Sequence, residues 1–196
     1  MKIIGLILAA AAALALSACF PPTTTHPVGT TIGLKNDPLL VGTWKADPPP
    51  DETDHKFYYY HFLPGKDGTI LAVLAPGDGE ESDLILVKLT TVRLGAAGIM
   101  NVRFLPGPDN ADVGQPAGTI PVLYRLDAKG TLLLFTPNEG KVKDAIRAGK
   151  IAGNTGENSS GDAVITADEP ALDRFFLSPA GLALFDNKVT VLKKSD

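Results

Sequence analysis

The pattern of apolar and polar positions divides the chain into an apolar N-terminal run, a Pro/Thr-rich stretch and a long region of short apolar runs. Residues 3–16 are apolar and uncharged, which is typical of the core of a signal peptide and too short for a comfortable membrane span. Residues 20–33 hold three prolines and five threonines without apolar periodicity. This stretch predicts an extended tether, about 45–50 Å long if fully stretched at ~3.3 Å per residue.

From residue 34 to residue 196 the pattern predicts a single domain that is rich in β-structure. Short apolar and β-branched runs alternate with Gly, Pro and Asp, which favours antiparallel strands joined by tight turns. The predicted strands are residues 39–45, 56–63, 69–75, 83–94, 99–105, 122–126 and 131–135. Most of them are expected to pair as consecutive hairpins.

The last third of the chain predicts two short helices. Residues 136–139 and 166–169 both resemble capping boxes, and apolar residues follow each of them at helical spacing. Residues 153–161 predict a mobile loop, Pro179 and Gly181 are expected to end the second helix, and residues 182–185 and 189–193 predict closing strands. The fold class is therefore mainly β (β-rich α+β), a small antiparallel barrel or sandwich with two short C-terminal helices.

The strand at residues 56–63 carries large side chains on both faces. By strand periodicity, Tyr58, Tyr60 and Phe62 share one face, and Phe57, Tyr59 and His61 share the other. In one interpretation the first three, with Trp44, line a binding cavity, and the outer rings pack under a loop or a partner. In the other, the strand is covered on both faces in the core of a sandwich.

Composition and charge exclude one class of partner. Without residues 1–18, the chain has 178 residues, 17 basic and 22 acidic, and a net charge of −5. It has no basic run and no arginines interleaved with aromatic residues, so nucleic-acid binding is not expected. The length suits one domain with a substantial core.

The four residues Leu16-Ser17-Ala18-Cys19 resemble the lipobox of bacterial lipoproteins. The resemblance implies cleavage before Cys19, a diacylglycerol thioether on its thiol, and usually an acyl chain such as palmitate on the new amine. Residues 1–18 would then be a signal peptide, and residues 19–33 the lipidated cysteine and its tether. Phe20 follows Cys19, where enterobacterial sorting uses Asp for inner-membrane retention. The resemblance therefore implies a lipid anchor in the outer membrane, with the domain in the cell envelope facing the periplasm.

Gly42-Thr43-Trp44, near the start of a β-rich domain, resembles the G-x-W signature of lipocalins. In that family the tryptophan closes the base of a barrel beneath a basic residue of the last strand, a place that Lys193 or Lys194 would take here. The resemblance implies a cup for an apolar ligand. The alternative is a single buried tryptophan on a strand.

The remaining polar motifs point to no active site and no cofactor. Asp51, Glu52, Asp54, His55 and His61 are the only cluster of side chains able to bind a metal, and their spacing fits neither a calcium nor a zinc site. Ser159 and Ser160 lie in a Gly/Asn-rich stretch without a nucleophile elbow.

Three functional hypotheses follow from these observations. The first is a non-catalytic, membrane-anchored envelope lipoprotein that binds an apolar ligand or a partner protein through a lipocalin-like domain, with Trp44, Tyr58, Tyr60 and Phe62 as the ligand-binding residues. The second is a solid-core assembly factor that acts through its loops. The third, a cell-envelope hydrolase, is the least supported because no catalytic set stands out.

Overall fold

The domain is built around a closed antiparallel β-barrel. The computed structural model describes residues 21–46, 58–76, 84–95, 97–105, 118–156 and 162–195. Within these ranges eight strands form the barrel, and three shorter strands and three short helices lie outside it. The predicted mainly β class is confirmed, and of the two predicted architectures the barrel is correct.

Seven of the barrel strands follow one another as an up-and-down meander, and the eighth closes it. The barrel strands are β2 (Gly42–Ala46), β3 (Tyr58–Pro64), β4 (Ile70–Pro76), β5 (Ile85–Leu94), β6 (Ala97–Phe104), β7 (Ile120–Leu126), β8 (Thr131–Thr136) and β11 (Asn187–Lys194). The strand β11 pairs with both β8 and β2, so the sheet has no free edge. An antiparallel barrel of this kind is compatible with a lipocalin-like fold.

The two ends of the barrel differ. Three short connections, between β3 and β4, β5 and β6, and β7 and β8, lie at one end, which residues 34–41 also cover. We call this the closed end. The strands β2, β4 and β6 finish, and β3, β5 and β7 begin, at the other end of the barrel.

Apolar side chains occupy the barrel interior because alternate residues of each strand point inward. The buried residues of this core are Leu40, Trp44, Ala46, Tyr58, Tyr60, Phe62, Ile70, Ala72, Leu74, Val87, Leu89, Met100, Val102, Ile120, Val122, Tyr124, Leu132, Leu134 and Leu192. The predicted faces of β3 are confirmed, since Tyr58, Tyr60 and Phe62 are buried while Tyr59 and His61 are half-buried on the outside.

A second apolar cluster covers the outside of β5 to β8. The helices α1 (Glu139–Arg147), α2 (Glu169–Phe176) and α3 (Pro179–Leu182) contribute to it, as do the outward residues Val92, Ile99 and Leu123. Asn138, Asp168 and Ser178 cap the three helices through their side chains. The two predicted helices are present. The strand expected at residues 182–185 does not form, because Ser178 and Pro179 begin a helical turn that ends at Leu182, and a turn follows at residues 183–184.

Residues 21–33 differ from the predicted tether. We call this segment the strap, because it lies along the outer wall of the barrel. Its strand β1 (Thr23–Thr24) pairs with β10 (Val164–Ile165), which in turn pairs with β9 (Gly153–Asn154). The side chains of Thr23, Thr24 and Val28 are buried. Pairing with residues far along the chain thus orders a stretch whose own composition favours no regular structure.

Candidate functional site

The four predicted ligand-binding residues lie together in the barrel interior. Trp44 pairs with Tyr60 across β2 and β3, and Tyr58 and Phe62 occupy the next inward positions of β3. Each of the four side chains is at most 5 % exposed. An eight-stranded barrel is just wide enough for side chains to fill it or to hold one small ligand. Here these rings belong to the buried core, so a ligand among them would have to displace packed side chains.

Trp44 links the interior to the closed end. Its indole Nε1 donates a hydrogen bond to the Leu40 carbonyl at 2.7 Å, which ties the covering segment to β2. The Lys194 ammonium of β11 lies 5.6 Å from the centroid of the indole ring, within the range of a cation–π contact. The tryptophan and the basic residue of the last strand therefore meet, as the G-x-W resemblance implies.

A polar cluster around Asp37 completes the closed end. The buried Asp37 carboxylate accepts hydrogen bonds from Arg93 at 2.9 Å, from the Tyr124 hydroxyl at 2.8 Å and from the Leu39 backbone N–H at 3.1 Å. Lys35 and Thr91 exchange backbone hydrogen bonds beside it. These contacts anchor residues 34–41 to β5 and β7, so we infer that they close this end of the barrel.

Two buried tyrosines make stability sensitive to alkaline pH. Burial, together with the nearby Tyr58, raises the pKa of Tyr60, and burial with the hydrogen bond to Asp37 raises the pKa of Tyr124. Above about pH 10 the unfolded chain loses phenolic protons that the folded chain keeps. We therefore expect the contribution of these tyrosines to the free energy of unfolding to be constant below about pH 10. Above that pH it should fall by about 1.4 kcal/mol per pH unit for each tyrosine.

Urea unfolding at several pH values between 8 and 11, followed by circular dichroism, measures this slope. Tyr60→Phe and Tyr124→Phe should each reduce it, and the double variant should reduce it most. An unchanged slope in the double variant would contradict the assignment of these two groups.

The outer face of β3 to β5 carries several apolar residues, with His61 and Lys88 among them, although the described helices and the strap cover the other side of the barrel. Cross-strand register places Leu63 beside Leu71, Val73 beside Leu86, and Tyr59 beside Ala75. We call these six residues the β3–β5 outer patch. Leu63 is 48 % exposed and the other five are half-buried. A sheet face turned to water normally alternates with polar residues, so this surface has the character of an interface.

Sequence reasoning identified part of this patch. One of its two interpretations placed Tyr59 under a loop or a partner, but it missed the other five residues of the patch. The available signal was the uninterrupted apolar run at residues 70–75, since strands without alternation are usually covered on both faces. The cross-strand pairing joins that run to its neighbours on β3 and β5.

The polar residues considered in the sequence are not assembled into a reactive centre in the part of the chain that the structure describes. His61 lies on the outer face, where its Nδ1 is 3.0 Å from the Thr43 hydroxyl and its ring stacks on Tyr59. No group of three or more potential metal ligands occurs among the described residues. Cys19, Phe57, Ser159, Ser160 and the acidic residues of 51–55 lie outside the described residues, as does His55.

Among the described helices, none combines the length and apolar character needed to cross a bilayer. No protein-family model, curated protein or solved structure matches the chain.

Proposed function

We propose that this chain is a non-catalytic lipoprotein of the bacterial outer membrane, anchored through a lipidated Cys19, that binds a partner protein of the envelope through the β3–β5 outer patch. The anchor rests on the resemblance of residues 16–19 to a lipobox. The single observation behind the binding function is the patch, a group of six apolar residues on the outer wall of a barrel whose opposite wall is covered by its own chain.

The position of the patch favours a protein over the bilayer as its occupant. In the closed order of eight strands, β3 lies four strands from β7, on the opposite wall of the barrel. The strap meets the barrel beside the start of β7, where Thr24 and Thr119 exchange backbone hydrogen bonds. An anchor that precedes the strap therefore leaves the patch on the side away from the anchor.

An apolar ligand inside the barrel is the alternative function. The eight-stranded barrel and the contact between Trp44 and Lys194 favour it. The burial of Tyr58, Tyr60 and Phe62 as core side chains weighs against it. Native mass spectrometry of the purified domain distinguishes the two, because a ligand in the barrel would give a lipid-sized adduct.

The partner hypothesis predicts that binding depends on Leu63. A photoreactive amino acid at residue 63, introduced in the native membrane, should cross-link to one protein, which is then identified and purified. Leu63→Asp should weaken its affinity about tenfold or more, because burying a leucine contributes about 1.5–3 kcal/mol.

Leu182→Asp is the matched control. Leu182 is also an exposed leucine, but it lies on α3, away from the patch. Equal affinities for the wild type and Leu63→Asp would reject the patch as the binding surface, and equal losses in both variants would indicate a nonspecific effect of the added charge and reject it as well.

A further inference from the structure

The strap is held to the folded domain by two buried polar side chains that lie outside the barrel core. Asn101 of β6 forms a reciprocal pair with Val28, accepting from its backbone N–H at 2.8 Å and donating to its carbonyl at 2.9 Å. Asp173 of α2 accepts from the backbone N–H groups of Gly29 and Thr31 and from the Thr31 hydroxyl. Both side chains are at most 3 % exposed.

The start of the strap is also hydrogen-bonded and buried against the domain. Thr23 and Thr25 donate backbone hydrogen bonds to the carbonyls of Ala163 and Ile165, both at 3.0 Å. Pro21 and Pro22, which precede them, are buried. Hydrogen-bonded and buried backbone of this kind opens only at a cost in free energy, so the strap does not act as a free linker.

Chain length then limits how far the domain can lie from its anchor. Only Phe20 separates Cys19 from the buried Pro21. Two residue steps span about 7 Å, whereas residues 20–33 would span about 45–50 Å if they were released and stretched.

We propose that the strap holds the barrel directly against the bilayer, with the side that carries β1 facing the lipid headgroups and the β3–β5 outer patch facing away. This inference rests on the proposed lipidation of Cys19. The surface that contacts the β1 side is the bilayer, because Phe20 is the one residue between the lipidated Cys19 and the strap on that side.

The only tryptophan provides a way to measure this distance without an added label. The chain from Cys19 onward is coupled through its only thiol to a maleimide-bearing lipid in phosphatidylethanolamine/phosphatidylglycerol vesicles that also contain a dansyl-labelled lipid. Energy transfer from Trp44 to the dansyl groups then reports the height of the barrel. We expect the Asn101→Ala/Asp173→Ala variant to show about twofold lower transfer than the wild type, because the released strap lengthens the linker.

Two further variants separate release of the strap from loss of the fold. Asp168→Ala removes the cap of the same helix without touching the strap and should keep the transfer of the wild type. Gly29→Ala should lower it, because Gly29 has a φ of +99° and an added Cβ would lie 2.6 Å from Val92. Circular dichroism and the emission maximum of Trp44 confirm that each barrel is intact.

The outcomes distinguish this inference from the proposed function. Equal transfer in the wild type and both strap variants would overturn the strap proposal alone, and so would rapid hydrogen exchange in residues 21–33 of the wild type. The intact mass of the protein extracted from its native membrane tests the anchor. An unmodified Cys19 there would overturn the proposed function and the membrane contact together.

Discussion

Replacing Trp44 by alanine is expected to lower the free energy of unfolding by about 3–5 kcal/mol, the usual cost of removing a large buried aromatic side chain. Trp44 is 1 % exposed and contacts the barrel core. The substitution also leaves the Leu40 carbonyl without its indole donor and removes the ring beneath Lys194. The substitution therefore removes three contributions together: packing in the barrel core, the hydrogen bond to residues 34–41 and the cation–π contact.

Urea unfolding followed by circular dichroism measures this change, since the variant has no tryptophan fluorescence. Trp44→Phe is the control, because it keeps an aromatic ring in the core but cannot donate to Leu40. We expect it to cost about 1–2 kcal/mol, chiefly from the lost hydrogen bond and the smaller volume. A Trp44→Ala variant as stable as the wild type would show that the ring faces an accessible cavity, and would favour the ligand-binding alternative.

Asp37→Ala is expected to lower the free energy of unfolding by about 3 kcal/mol, because the variant leaves the buried Tyr124 hydroxyl unpaired and removes two further hydrogen bonds to a carboxylate. The Tyr124 hydroxyl and the Leu39 N–H both lose their acceptor, and Arg93 loses its carboxylate. The loss is concentrated at the closed end, so residues 34–41 should gain faster hydrogen exchange than the rest of the barrel.

Two companion variants show how the Asp37 contacts share this effect. Asp37→Asn retains one acceptor oxygen and should cost less than Asp37→Ala. Arg93→Ala should cost about 1 kcal/mol or less, because the Arg93 side chain is half-exposed and its ion pair is screened by water. If Arg93→Ala were as destabilising as Asp37→Ala, the ion pair rather than the buried hydrogen bonds would hold the closed end.

The strand prediction succeeded where a local signal was strong. Alternation at residues 58–62 assigned the inward and outward faces of β3 correctly, because side chains on a strand alternate with a period of two. Gly- and Asp-containing turns at residues 65–68 and 127–130 identified two hairpins of the closed end. The polar starts and the apolar spacing after them identified α1 and α2, although the N-caps are Asn138 and Asp168 rather than the threonines that begin the two predicted capping boxes.

The strap shows why a local reading can fail. Its prolines and threonines carry no apolar periodicity, so composition alone favours a tether. The groups that order it lie far along the chain, with Asn101 73 residues from Val28 and Asp173 144 residues from Gly29. A pattern within residues 21–33 contains no information about acceptors at that distance.

The sequence by itself determined the β-rich class, the two faces of β3 and the presence of α1 and α2, because each depends on neighbours within a few residues. It also carries the lipobox resemblance on which the anchor rests. Only the tertiary structure decided between barrel and sandwich, because closure depends on the pairing of β11 with β2 across the whole domain. The same long-range pairing packs the strap against the wall and joins residues of three strands into the β3–β5 outer patch.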